Sequence, residues 1–327
     1  MSTATARPKK KHTGLIVFIV VLVILLLVVA ALGAVGYYFA IMVPKGVVET
    51  AKTYIEEGNY IEAYQLLKDT KIPAVLGSEK LTEKQTGIGA LKEELIAAHP
   101  TVTLYDAKVG DVITYGHYEQ DNNTENGAEA IEWIVLAINE EDGRILVVSR
   151  YCLDCYAYDD SNASWPNSSI REWLNKTDGK YAFYGNAFSE IEQSWIYRKK
   201  IEPSRNPQYN TSGGLSCYDY VFLLSVQEVE EYFADDAARI CEPTTYARKN
   251  GSYVPREGNY TTSCRWWLRT PGETMKQVIY VAPDGSINYK GGAPEGSAGD
   301  GKFGGYSGQD KGSVRPAMWI TIEYPVG

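Results

Sequence analysis

Ile131-Glu-Trp-Ile-Val-Leu-Ala-Ile138, Asn139-Glu-Glu-Asp-Gly143 and Arg144-Ile-Leu-Val-Val-Ser149 follow one another without a gap, and they decide the fold of most of the chain. Two β-branched apolar runs flank a short polar segment ending in glycine, which is the pattern of a β-hairpin. Residues 111–118, just before, read as a further strand. Downstream, Ser169-Ile-Arg-Glu-Trp-Leu174 and Ser189-Glu-Ile-Glu-Gln-Ser-Trp195 read as short capped helices. Val221-Phe-Leu-Leu224 reads as a buried strand, and Ser225-x-x-Glu228 caps the helix that follows it. Ile279-Tyr-Val-Ala-Pro-Asp284-Gly285-Ser-Ile-Asn-Tyr289 carries an Asp-Gly hairpin turn. A Gly-rich stretch over residues 290–312 then leads to a last strand at 314–322. Strands mixed with short helices and long connections predict an α+β domain over residues 101–327.

Toward the N-terminus the period changes from two to between three and four. Ala51-x-x-Tyr54-Ile55-x-x-Gly58-x-Tyr60-x-x-Ala63-x-x-Leu66-Leu67 predicts a helix, a glycine stop and a second helix, spaced like one tetratricopeptide-type hairpin. A single hairpin buries its own apolar face poorly, so residues 45–98 are expected to form a helical stalk rather than a peptide-binding repeat. Its third helix would carry Ile88, Leu91 and Leu95 behind a Thr82-x-x-Gln85 capping box. Pro100 marks the boundary with the strand-rich domain.

Residues 14–43 contain no charged side chain, and residues 15–30 are nearly pure Leu, Ile and Val. About 20 such residues in a helix match the ~30 Å hydrocarbon core of a bilayer. Arg7, Lys9, Lys10 and Lys11 precede the run, while Lys45 and Lys52 are the only bases that follow it before Glu56. The expectation is a basic cytoplasmic tail (1–13), a transmembrane helix (14–43) and an extracytoplasmic C-terminal part in the cell membrane. Tyr37 and Tyr38 would lie at the outer interface, and Pro44 would end or kink the helix. Ala31-Leu-Gly-Ala34 has the small residues of a signal-peptidase site. The apolar run exceeds the ~7–15 residues of a signal peptide, however, which favours an uncleaved anchor.

The formal net charge is −9, and the tail alone supplies four positive charges, so the remainder is more acidic still. Such a surface disfavours nucleic acid as a partner. Aromatics make up 12%, with 25 Tyr and 7 Trp, a composition suited to a packed core and an aromatic surface. The three histidines are His12, His99 and His117, so the larger domain has no histidine pair for zinc, and no HExxH or GxSxG motif occurs. His117 reads as a satisfied edge histidine rather than a base. All five cysteines, Cys152, Cys155, Cys217, Cys241 and Cys264, follow the apolar run, where disulfides are permitted. Cys152-Leu-Asp-Cys155 has CxxC spacing but opens no helix, which favours a structural role over redox activity.

Six motifs occur in order: Tyr118-Glu-Gln-Asp-Asn122, Ile131-Glu-Trp133-Ile-Val-Leu136, Ser169-Ile-Arg-Glu-Trp-Leu-Asn175, Val221-Phe-Leu-Leu-Ser225, Trp266-Trp-Leu-Arg-Thr-Pro-Gly272 and Val314-Arg-Pro-Ala317. Together, over about residues 101–322, they resemble a bacterial extracytoplasmic domain of unknown function found in secreted and membrane-anchored proteins, often behind helical repeats. The closing pattern also resembles the C-type-lectin-like fold, which the formylglycine-generating oxidases share. Those oxidases hold copper with a late cysteine pair. No cysteine follows Cys264, so that activity is not implied and no cofactor is expected.

In the Trp266-Trp-Leu-Arg-Thr-Pro-Gly272 motif, Trp266 and Leu268 are expected to face the core, with Arg315 also structural. Trp267 and Arg269 then share the other face, where Trp267 suits either a core or a stacking role and Arg269 can clamp a carboxylate or hydroxyl. Gly-rich, aromatic-bearing loops also build adaptable binding surfaces. The candidate ligand-binding set is therefore Trp267, Arg269, Tyr280, Asp284, Tyr289, Phe303 and Tyr306, with an envelope glycan, peptide or surface protein as ligand. Asp284, Asp300 and Asp310 lack an EF-type calcium pattern, and no metal is assigned. The rival expectation is an enzyme acting on envelope polymers through Glu129, Glu132 or Asp284. A third is a scaffold whose stalk helices pair with another membrane protein.

Overall fold

The computed structural model describes residues 13–71, 84, 86–159, 164–179, 182–292 and 312–322, and the chain divides between Ala98 and His99 into two compact units. The basic tail, Thr82, Gln85, Asp300, Phe303, Tyr306 and Asp310 lie outside the described residues.

The first unit is helical. Helix α1 (Thr13–Tyr37) passes through one π-type turn, Tyr38–Met42, straight into α2 (Val43–Glu56). Of the two outcomes expected at Pro44, an end or a kink, the helix does not end there. Proline removes an N–H and crowds the carbonyl four residues back. The wider turn, in which the Val43 N–H bonds the Tyr38 carbonyl, precedes it, and the helix runs on. Side chains 18–39 are exposed all round. A helix apolar on every face has no side suited to water. Its length and composition suit a membrane anchor or a signal sequence alike. At the other end of α2, Gly58 adopts φ +81°, with Gly58 N bonded to Ile55 O and Asn59 N to Tyr54 O. That is a Schellman stop, and it explains the glycine. Helices α3 (Tyr60–Asp69) and α4 (Ile88–Ala98) pack against α2, burying Ala51, Ala63, Leu67, Ile88 and Leu95. The small alanines let the backbones approach.

The second unit is α+β and mostly sheet. One sheet has the order β1 (Val112–Tyr118), β2 (Glu129–Asn139), β3 (Arg144–Ser149), β13 (Ala317–Thr321), β5 (Ile196–Tyr197), with β8 (Val221–Phe222) also on β13. The other has the order β11 (Ile287–Gly292), β10 (Val278–Val281), β9 (Trp266–Pro271), β12 (Gly312–Val314), β4 (Asp154–Tyr156). A small pair, β6 (Lys199–Ile201) and β7 (Cys217–Asp219), stands apart. The β2–β3 hairpin pairs Asn139 with Arg144 and Ile134 with Val148. Short helices fill the connections: α5 (Ser169–Asn175), α6 (Phe183–Ala187), α7 (Glu190–Trp195), α8 (Val226–Tyr232), α9 (Asp236–Arg239) and α10 (Thr245–Lys249). Ser189 with Glu192, and Ser225 with Glu228, close reciprocal capping boxes, whereas the cap of α5 is Ser168.

Two of the chain's passages between the two sheets, after β3 and after β12, lie side by side. Val314-Arg-Pro-Ala317 is the second of these corners. Arg315, 1% exposed, donates from Nε to the Ser149 carbonyl at 3.0 Å and lies 5.0 Å from the Trp266 ring. Ser149 N in turn bonds Pro316 O at 2.9 Å. Both corners are thus tied by one buried guanidinium and one backbone bond, and proline stands where no N–H is needed.

Candidate functional site

A cavity of about 650 Å³ opens beside β4, the edge strand of the second sheet. Five elements build it. From β1 come His117 and Tyr118, just past a register shift between Thr114 and His117. Gly116 sits at that shift with φ +71°, and a Cβ there would lie 2.5 Å from the Phe188 ring, so only glycine fits. From β4 come Asp154, Cys155 and Tyr156; α5 supplies Trp173; and Tyr246, Lys249 and Asn250 come from α10 and its end. Asn186 of α6 adds an exposed amide.

The Tyr156 and Trp173 rings stack at 5.0 Å with an interplanar angle of 11°. Both also wall a second, adjoining cavity of about 280 Å³, together with Ser169, Glu172, Lys176 and Asp178. The stacked pair is therefore the shared wall of one groove with a polar rim of both charge signs. Asp154 is buried but well partnered. It accepts from the Tyr118 hydroxyl at 2.6 Å, Asn250 Nδ2 at 2.7 Å and Cys155 N at 2.7 Å. Burial, and then the Asp154 carboxylate, hold the Tyr118 phenol far above its ordinary range, so it remains a donor. Exposed His117 and Lys249 provide the mobile polar contacts. The groove offers an apolar platform ringed by amides, an ammonium and carboxylates, which suits a polar ring-bearing ligand held by stacking and hydrogen bonds.

The residues expected to bind ligand are placed differently. Trp267 is 1% exposed, meets Tyr158 and Tyr280 edge-on, and donates to the Tyr156 carbonyl at 3.1 Å. Strand β9 is buried at every position because β10 and β12 flank it and side chains cover both its faces, so Trp267 and Arg269 have no open face. Arg269 is buried on Glu228, with Nη2 to Oε1 at 2.9 Å, a second contact from Nη1 to Oε2, and a bond to Leu223 O at 2.8 Å. It ties α8 to the sheet. Tyr280 is also buried, and its hydroxyl accepts from Asn288 Nδ2 at 2.8 Å. Asp284 stays exposed but is engaged by Ser286 in the β10–β11 turn, where the adjacent Gly285 has φ +83°. Tyr289 is half-buried and donates to Glu230.

The carboxylates of the enzyme reading are dispersed. Glu129 accepts from Gln120 N at 2.7 Å, Glu132 pairs with Arg150 at 2.9 Å, and neither these nor Asp284 lines either cavity. Glu119, Asp121 and Glu129 bring oxygens within 4.8 Å of one another, but each accepts backbone amides of its own loop.

Trp173 was visible in the Ile-Arg-Glu-Trp-Leu motif, and Tyr156 in the Tyr/Asp-rich segment after Cys155. Nothing in the spacing joins them, because α5 reaches β4 only through the tertiary fold. The arrangement defines an α+β domain with an aromatic groove at a sheet edge. Residues 142–322 match the domain of unknown function DUF6273, and the chain belongs to that family. No curated protein and no solved structure matches it. Strands β1 and β2 precede the matched span yet pair into the same sheet, so His117 and Tyr118 add to the groove from outside it.

Proposed function

We propose that the chain is a single-pass membrane protein with its C-terminal domain outside the cytoplasm. We further propose that this domain binds an envelope glycan in the groove walled by Tyr156 and Trp173. The stacked pair carries the proposal, since it presents one aromatic wall to two adjoining cavities beside amide and charged hydrogen-bonding groups. Sugar rings have apolar C–H faces for such a wall and hydroxyls for Asn186, Asn250 and Lys249. The basic tail and apolar helix support the orientation. The closing pattern, Trp266-Trp-Leu-Arg269 followed by Val314-Arg-Pro-Ala317, supports a C-type-lectin-like fold, with the helical unit as its stalk.

The detergent-solubilised full chain should sediment with insoluble peptidoglycan, and Tyr156→Ala should weaken that binding at least about tenfold, or 1.4 kcal/mol. Retained binding in a folded Tyr156→Ala protein would remove the groove from the proposal. Release of soluble fragments from the polymer would favour the enzyme instead.

A further inference from the structure

We infer that Cys152 and Cys241 form a disulfide in the exported protein, joining the β3–β4 connection to the segment after α9 across 89 residues of sequence. Their sulfurs lie 3.4 Å apart. The segments are already zipped on either side: Cys152 N bonds Glu242 O at 2.9 Å, and Thr244 N bonds Cys152 O at 3.0 Å. Closing to the ~2.05 Å of a covalent S–S bond takes a movement on the order of 1 Å, shared between two side chains. Cys264 completes a buried thiol cluster beside Cys152, but its Sγ donates to the Cys241 carbonyl at 3.5 Å, and it is the Cys241 segment that the backbone bonds zip to Cys152. Cys155 belongs to the groove wall, and the Cys217 thiol bonds Asp219 at 3.3 Å.

Burial disfavours the thiolate at both members of the pair. At Cys241 the hydrogen bond from Cys152 and the nearby Arg315 charge outweigh burial and bring the thiol below its ordinary value, whereas at Cys152 nothing opposes the rise. Within the folded pair Cys241 is thus the more readily ionised thiol. The oxidant is an extracytoplasmic disulfide-donor protein, acting on a native-like chain before the domain seals. Cys241 attacks the donor disulfide and expels one donor thiolate. Cys152 then attacks Cys241 Sγ and expels the second. Two cysteine thiols lose two protons and two electrons, and the donor disulfide becomes two thiols.

This oxidation rests on the proposed outward orientation, and the test separates the two. Full-length chain from intact cells is acid-quenched, denatured and alkylated with a mass-tagged maleimide. Of the five cysteines, three should react before reduction and all five after it. Non-reducing peptide mapping should link the Cys152 and Cys241 peptides. Cys264→Ser should keep that link, and a Cys152–Cys264 link in the wild-type chain would overturn the pairing. If all five thiols react without reduction, the purified full chain is refolded with glutathione disulfide. A Cys152–Cys241 link formed only there would uphold the pairing and refute the orientation. No link under either condition would overturn the pairing itself.

Discussion

Two aromatic pairs built on strands of one sheet meet different environments. Trp267 and Tyr280, on neighbouring strands β9 and β10, meet edge-on at 6.3 Å and are sealed from solvent. Tyr156 on β4 stacks on Trp173 at 5.0 Å and forms the wall of an open groove. The difference is position in the sheet. β9 has a strand on each side, while β4 closes the order β11-β10-β9-β12-β4. An aromatic on a central strand covered on both faces becomes core, and the same residue type on an edge can wall a cleft.

The sharpest test is to truncate the central member. Trp267→Ala should destabilise the domain by about 3–5 kcal/mol, measured by urea unfolding. A folded Trp267→Ala protein of ordinary stability that had lost peptidoglycan binding would return this strand to the site. Gly312→Ala probes the same packing from the other side. An added Cβ would fall 2.1 Å from the Trp267 indole, so the expected loss is about 1–3 kcal/mol with the groove intact.

The same contrast explains what could be read from sequence. Local signals served well: the Asn139–Gly143 turn, the Gly58 stop and the Ser225–Glu228 cap are set by residues a few positions apart, and each is present. The α+β character followed from them. Strand order did not, because it depends on pairings such as β12 with β9, which no local spacing encodes. Alternation along Trp266-Trp-Leu-Arg269 predicted two faces, and two faces exist. It could not tell that both are covered. Tyr156 and Trp173 escaped notice for the same reason, since neither becomes a site residue until β4 stands at an edge with α5 beside it.

A smaller effect comes from the ion pair on the central strand. Burial pushes the Glu228 carboxyl up, but the Arg269 charge and hydrogen bonds, with those of Ser225, more than offset it and leave the pKa below its usual value. A depressed carboxyl contributes stability that is fully present above its unfolded pKa, about 4.3, and is lost as pH falls through the folded value. Urea midpoints of the wild type should therefore drop as pH is taken below about 4, and Glu228→Gln should flatten that drop. Equal slopes for the two proteins would mean that Arg269 holds α8 by geometry alone.

The smallest change in stability is expected at the rim of the groove. Lys249 is exposed, in the last turn of α10, and an exposed lysine replaced by alanine should shift unfolding by no more than about 0.5 kcal/mol. Its effect should appear only in binding. An ammonium on the rim strengthens contact with carboxylate or hydroxyl groups of the ligand, so Lys249→Ala should weaken peptidoglycan binding severalfold, and the deficit should narrow as salt screens the wild-type contact. Tyr156→Ala, by contrast, should weaken binding at every salt concentration, because stacking is not screened. Its backbone carbonyl remains to accept the Trp267 indole, so the central strand keeps its support. A Lys249→Ala protein that binds normally at low salt would remove this rim from the site and confine recognition to the aromatic wall.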